Sequence, residues 1–198
     1  DPNNSQILYA SLNDKGGVFK SSDGGASWAS SSSGLPTHSD VLCLAIDPSN
    51  PQTLYAGTLA GVFKSSDGGA SWADFATSLL GSVVCSLAID PNNSQILYAS
   101  LNDKGGVYKS SDGGVSWADS SSGLPDSVVE CLAINRSGTL YAGTLGIAVF
   151  FKSTNGGAGW VSFSSGLTKG YLQCLAIDPS GILYAGTKDG GIFRFIVP

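Results

Sequence analysis

The sequence predicts an all-β protein: a β-propeller of four-stranded antiparallel blades, about five of them, with the first and last incomplete. Three observations carry this. Near-identical segments return about every 44 residues, the length of one propeller blade. Each full period holds four short strand-like runs separated by turn residues. No segment keeps the 3.6-residue period of an amphipathic helix over ten or more residues.

The repeats are dense. Trp28, Trp72, Trp117 and Trp160 are spaced by 44, 45 and 43 residues. Leu-Ala-Ile followed by Asp or Asn starts at Leu44, Leu87, Leu132 and Leu175, and Leu-Tyr-Ala is centred on Tyr9, Tyr55, Tyr98, Tyr141 and Tyr184. Residues 1–28 match residues 90–117 with two changes, so a two-repeat unit of 89 residues has been duplicated. The chain divides as one domain, 1–198, with repeats at roughly 1–40, 41–82, 83–127, 128–170 and 171–198.

The second repeat shows the elements in order. VLCLAI (41–46) is nearly all apolar and reads as a strand buried on both faces. DPSNPQ breaks the chain with turn residues. TLYAGT (53–58) and GVFKS (61–65) are the next strands, SDGG makes a tight hairpin turn, and ASWADF (70–75) is the fourth strand. The strand tally along the chain is three, four, four, four and three. Three accounts fit it: a piece of a larger propeller, closure as five blades with two incomplete, or C-terminal strands that complete the first blade of another copy. The five-blade reading is favoured. The last repeat ends in IFRFIVP without the SDGG turn and reads as a natural C-terminus, and the chain, which lacks an initiator Met, reads as mature or trimmed.

The turn between the third and fourth strands carries the most specific pattern. KSSDGGASW occurs at Lys20–Trp28 and again at Lys64–Trp72, then as KSSDGGVSW at Lys109–Trp117 and KSTNGGAGW at Lys152–Trp160. Ser21, Asp23, Gly25, Ser27 and Trp28 fit Ser/Thr-x-Asp-x-Gly-x-Ser/Thr-Trp, as do Ser65, Asp67, Gly69, Ser71 and Trp72, and Ser110, Asp112, Gly114, Ser116 and Trp117. Ser153, Asn155, Gly157 and Trp160 fit it with Asn for Asp and Gly159 for Ser. The pattern resembles the Asp-box, or BNR repeat, of the sialidase, sortilin and xyloglucanase-type propellers. The resemblance covers essentially the whole chain and implies that the box lies between the third and fourth strands of each blade. A short Asp can accept backbone N–H groups within its own turn, the Gly pair permits positive φ, and Trp can bury a large area between blades, so the box reads as structural. The cations of the third strands, Lys20, Lys64, Lys109, Lys152 and Arg194, recur with it and are expected to lie over the box Trp.

Composition excludes several functions. Net charge is −5 and Arg136 and Arg194 are the two arginines, which argues against nucleic acid and anionic membrane surfaces. No apolar run reaches the ~18 residues of a spanning helix. Each box turn carries one acid, so no calcium loop forms; with His38 as the one histidine and no Cys-x-x-Cys, no zinc site is expected and no cofactor is implied. Cys43, Cys131 and Cys174 each stand four residues before the Leu-Ala-Ile Asp or Asn, while Cys85 stands five before Asp90 and points to the other face. Buried free thiols are the first reading of these and disulfides the second.

Catalytic material is scarce. The resemblance to sialidases would imply an arginine triad and a Tyr/Glu pair, yet the chain holds two arginines and one glutamate, Glu130. A glycosidase needs two opposed carboxylates across a cleft, and the acids outside the repeat pattern are Asp40, Asp74, Asp119, Asp126, Glu130 and Asp189. Seven-bladed photosystem-assembly relatives bear an arginine patch with no counterpart here. Strand alternation places the box turns and Asp-Pro turns on one face of the disc. The other face carries Asn13, Asp14, Lys15, Asn102, Asp103, Lys104, Lys188 and Asp189, the candidate ligand loops. Asn3, Asn92 and Asn135 open glycosylation sequons. These features lead us to expect a non-enzymatic, extracellular or cell-surface scaffold, adhesion or self-assembly module. Its partner would be a protein or another copy, through strand exchange. The alternatives are a lectin-like glycan binder and a fragment of a larger glycosidase propeller.

Overall fold

The computed structural model describes residues 1–12, 16–37, 40–145, 150–163, 172–188 and 190–195. They form five antiparallel sheets of three, four, four, four and three strands, each a simple meander. The first blade is β1 (Leu8–Ser11), β2 (Val18–Ser21) and β3 (Ala29–Ser30); the second is β4 (Val41–Ile46), β5 (Leu54–Thr58), β6 (Gly61–Ser65) and β7 (Ala73–Asp74). The third is β8 (Val84–Ile89), β9 (Leu97–Leu101), β10 (Val107–Ser110) and β11 (Ala118–Asp119). The fourth is β12 (Val129–Ile134), β13 (Leu140–Thr144), β14 (Phe150–Ser153) and β15 (Val161–Ser162), and the last is β16 (Leu172–Ile177), β17 (Leu183–Thr187) and β18 (Gly191–Phe195). The innermost strands pack in succession, β4 on β8, β8 on β12 and β12 on β16, with β1 against β4. This is the arrangement of a β-propeller.

The core lies between blades rather than inside any one sheet. Val18 of the first blade joins Val41, Phe63 and Trp72 of the second; Tyr55 and Val62 join Leu87 and Leu97 of the third; Tyr98 joins Leu132 and Trp160 of the fourth; Phe150 joins Leu172 and Ala185 of the last. The fully buried strand of each complete blade is the second: all residues of β5, β9 and β13 are buried. The innermost strands, expected to be buried on both faces, are only partly so; five of the six residues of β4 are half-buried. The second strand is flanked by strands on both edges and by blades on both faces, whereas the innermost strand has one open edge. Burial falls at both ends of the array. β1 is half-buried throughout, and Ile192 on β18 is 79% exposed where its counterparts Val18, Val62, Val107 and Phe150 are 0%.

The fourth strands are shorter than the sequence suggests: ASWADF yields only Ala73–Asp74 as strand. Ser71 is held by Asp67, so Ala70–Trp72 belong to the box turn and not to the ladder. Two-residue outer strands leave little edge for unwanted pairing. Between first and second strands, Asx turns close the Asp-Pro segments: Oδ1 of Asp1, Asp47, Asp90 and Asp178 accepts the amide two residues on at 2.8–2.9 Å. Backbone bonds from Gly24 to Gln6, Gly68 to Gln52 and Gly113 to Gln95 fix the box turns beside the Asp-Pro turns on one face.

Candidate functional site

The box is a closed hydrogen-bond circuit. Ser21, Ser65 and Ser110 end the third strands and are 1% exposed. Each hydroxyl donates to Oδ1 of the box Asp at 2.7–2.8 Å and accepts the amide of Gly25, Gly69 or Gly114 at 2.8–2.9 Å. The Asp Oδ1 also accepts the amide of Ser27, Ser71 or Ser116 at 2.9 Å, and Oδ2 accepts its hydroxyl at 2.5 Å. These donors, the second serine's hydroxyl foremost, hold Asp23, Asp67 and Asp112 down at about 2. Both glycines of each turn take positive φ, 70° and 94° at Gly24 and Gly25, which a side chain would strain. In the fourth copy Asn155 Oδ1 accepts Ser153 Oγ at 2.8 Å and Gly159 N at 2.9 Å. With glycine in place of the second serine there is no hydroxyl for a second carboxylate oxygen to accept, so the amide suffices.

Ties run from each blade to the next box. Tyr9, Tyr55 and Tyr98 donate their hydroxyls to the carbonyls of Gly68, Gly113 and Gly156 at 2.8–3.2 Å. Lys20 and Lys109 add Nζ–H bonds to Gly68 and Gly156 at 2.8 and 2.9 Å. The expected lysine–Trp stacking is not what forms: Lys20 and Lys109 lie over Tyr9 and Tyr98, Lys64 lies 4.2 Å from the Phe75 ring centre, and Lys152 4.9 Å from that of Phe163. The Trp sits in the box turn, whereas Tyr and Lys are direct cross-strand partners on the second and third strands.

The blades alternate in kind, following the 89-residue duplication. The residue after the fourth strand is Ser31 in the first blade and Ser120 in the third, but Phe75 in the second and Phe163 in the fourth. Ser31 and Ser120 donate to Gly69 and Gly157 at 2.5 and 2.8 Å. The loops that follow wrap the next Trp: Trp72 Nε1–H donates to the Ser31 carbonyl and Trp160 Nε1–H to that of Ser120, both at 2.7 Å. Both indoles are 4% exposed. Trp28 and Trp117 instead bond their own Gly25 and Gly114, and Trp28 is 43% exposed. The expectation that every box Trp wedges two blades is therefore corrected: Trp72 and Trp160 do, and Trp28 does not.

At the two serine-type junctions a polar cleft opens. One, of 390 Å³, is lined by Lys20, Ser30, Ser31, Ser33 and Gly68; its twin, of 420 Å³, by Lys109, Asp119, Ser120, Ser122 and Gly156. The signal was present as the change from ASSSSGLP to ADFATSLLG, but only the fold shows that Ser and Phe occupy one slot. Of the candidate ligand loops, Asn102, Asp103 and Lys104 are exposed beside a 280 Å³ hollow that Lys104 and Tyr108 help to line, and Asp103 accepts the Val83 amide at 3.0 Å. Lys188 is exposed in its turn. Asn13, Asp14, Lys15 and Asp189 lie outside the described residues.

The four cysteines are free thiols. Burial pushes Cys43 and Cys131 up to about 12. Each innermost strand carries a bulge at its second residue, so Leu42, Cys85, Glu130 and Gln173 are the extra residues. This accounts for the offset of Cys85, pushed up to about 11 by burial, with Glu130 and Asp103 adding to it. Asn92 Nδ2 donates to the Arg136 carbonyl at 2.9 Å, Asn135 Oδ1 closes its own turn with Ser137, and Asn3 is exposed.

A family model described as photosynthesis system II assembly factor YCF48 matches residues 11–195. No curated protein matches the chain. Among solved structures, an ancestral GH74 enzyme is 27% identical at a TM-score of 0.72, covering 93% of this chain and 26% of that one. The GH74 xyloglucanase from Xanthomonas campestris is 18% identical at 0.77, covering 98% and 35%. YCF48 bound to D1 peptide is 17% identical at 0.68, covering 96% and 60%. The chain thus spans about a quarter to three fifths of these relatives.

Proposed function

We propose, for a chain that belongs to the BNR-repeat family described as photosynthesis system II assembly factor YCF48, a non-enzymatic role as an extracellular scaffold or assembly module that holds a protein partner. The observation that carries this is electrostatic. Among the described residues, every carboxyl displaced from its ordinary pKa is displaced downward: Asp23, Asp67 and Asp112 to about 2, and Asp178 by the Ser180 hydroxyl before its other donors. Burial pushes Asp47 up, but the hydroxyls of Ser94 and Ser49 outweigh it. A glycosidase general acid needs the opposite shift. A solved family relative holds a peptide, which supports a polypeptide as the ligand class. Incubation with xyloglucan tests the non-enzymatic part: no new reducing ends are expected, and their release would refute it.

The twin clefts favour a second reading, a lectin-like module. Each presents several serine hydroxyls and a lysine ammonium in about 400 Å³, matched to the hydroxyls of a sugar ring. Titration with neutral oligosaccharides separates the two: this reading expects two equivalent sites per chain, with chemical-shift changes at Ser31 and Ser120.

A further inference from the structure

In three boxes the acid and the glycine after it are both tied down. Oδ2 of Asp23, Asp67 and Asp112 accepts the second serine's hydroxyl, and the amides of Gly24, Gly68 and Gly113 donate at 2.9 Å to the carbonyls of Gln6, Gln52 and Gln95. The fourth box differs at each point. It carries Asn155–Gly156, the one Asn-Gly step in the sequence. Gly159 replaces the second serine, so no hydroxyl stands there to hold Nδ2 of Asn155. The neighbouring turn, Asn135–Thr139, is two residues shorter than Asp90–Ile96 and holds no glutamine, and among the described residues the Gly156 amide meets no acceptor. Oδ1 stays held, by Ser153 Oγ at 2.8 Å and the Gly159 amide at 2.9 Å.

We propose that Asn155 is a self-modification site, at which the Gly156 amide expels the side-chain nitrogen as ammonia and water converts the box to the Asp form of the other three. The Gly156 N–H gives its proton to solvent base, and the nitrogen attacks Cγ of Asn155. The new Cγ–N bond closes a five-membered imide; the Cγ–Nδ2 bond breaks and ammonia leaves. Water then adds at Cγ, the Cγ–N bond breaks, and the Gly156 nitrogen regains its proton. One amide and one water enter; one carboxylate and one ammonium result.

Each step finds its atom in the turn. Negative charge develops on Oδ1, where the Ser153 hydroxyl and the Gly159 amide already point, as in an oxyanion hole. The Lys109 ammonium, 2.9 Å from the Gly156 carbonyl, adds positive field. Gly156 has no Cβ to shield its nitrogen, and Asn155 is exposed to water. In the other boxes the glutamine carbonyl holds the amide proton, and that bond must break before attack. Aspartate at 155 keeps both donors to Oδ1 and places a carboxylate on the wall of the cleft lined by Lys109 and Asp119. Isoaspartate would add a methylene to the main chain and break the match with those donors, so the folded box selects aspartate. This inference goes beyond the scaffold and lectin readings and rests on neither.

The test follows the whole chain at mildly alkaline pH by peptide-resolved mass spectrometry, with aspartate and isoaspartate separated by chromatography. Residue 155 is expected to pass from amide to acid, mainly aspartate, and faster as pH rises. Asp112→Asn supplies a control in the same molecule: its Asn-Gly step keeps the Gln95 bond and the Ser116 hydroxyl, and should convert at least tenfold more slowly than Asn155. Ser153→Ala, checked for folding by circular dichroism, should slow conversion at 155, and Ser153→Thr, which keeps a hydroxyl, should restore it. Retention of the amide at 155 for a time that converts a synthetic peptide of residues 152–160 overturns the site. Equal rates at 155 and 112 overturn the part given to the free Gly156 amide. Undiminished conversion in Ser153→Ala overturns the part given to the Ser153 hydroxyl, and isoaspartate as the main product overturns the return to the Asp box.

Discussion

Four tryptophans in one sequence motif should fall into two energetic classes when each is replaced by phenylalanine. Trp72 and Trp160 are 4% exposed and donate to carbonyls of the preceding blade, Ser31 and Ser120. Phenylalanine removes three buried ring atoms, about 1–2 kcal/mol. It also leaves a largely dehydrated carbonyl without its donor, about 1–2 kcal/mol more. The total is about 2–4 kcal/mol. Trp28 is 43% exposed and bonds only Gly25, in its own water-facing turn. There the area term roughly halves and water replaces the lost donor, leaving about 0.5–1 kcal/mol. Urea unfolding of the four single variants, compared by midpoint at constant slope, reads the difference. Equal losses at all four positions, or a loss at Trp117, which follows a Phe-type loop and bonds its own Gly114, as large as that at Trp72, would refute the claim that serine-type loops, not the box itself, determine which indole ties two blades.

Further outcomes follow from the same geometry. The box carboxyls sit at about 2 when folded, against about 4 in the unfolded chain, so the unfolded state binds more protons between those values. Their stabilisation is complete above pH 4 and fades as pH falls toward 2; the triple Asp→Asn variant at 23, 67 and 112 should show a flatter pH dependence of the urea midpoint. Thiol labelling should reach the exposed Cys174 first, Cys85 more slowly, and Cys43 and Cys131 only on unfolding, as their burial and pKa values of about 12 require. Tyr55→Phe removes the buried tie to Gly113 and should cost about 1–2 kcal/mol, measured by thermal unfolding.

Much of the fold was legible because the repeat supplies its own alignment. VLCLAI and GVFKS are β4 and β6 residue for residue, and the expected counts of three, four, four, four and three strands match the sheets. The shortening of the fourth strand was not legible, because it depends on Asp67 capturing Ser71 and withdrawing Ala70–Trp72 from the ladder. Nor was the alternation between blades. The letters of the box at Trp28 and Trp72 are the same, but Trp72 is covered by the Ser31 loop of the preceding blade, and no described blade precedes Trp28. The lysines went to Tyr and Phe for a related reason: cross-strand register, not proximity in sequence, decides which ring a cation covers. The clefts at Ser31 and Ser120 lie where the other blade type carries Phe, a comparison that needs the two blade types superposed in space.

Amide hydrogen exchange along the whole chain bears on the idea underlying all of this, that stability comes from blade-to-blade ties. The fully buried β5, β9 and β13, clamped between neighbours, should exchange last. β1, half-buried throughout, and β16 and β18, with Cys174 and Ile192 exposed, should exchange first. Protection that is uniform across the five blades, or greatest in the first and last, would contradict it.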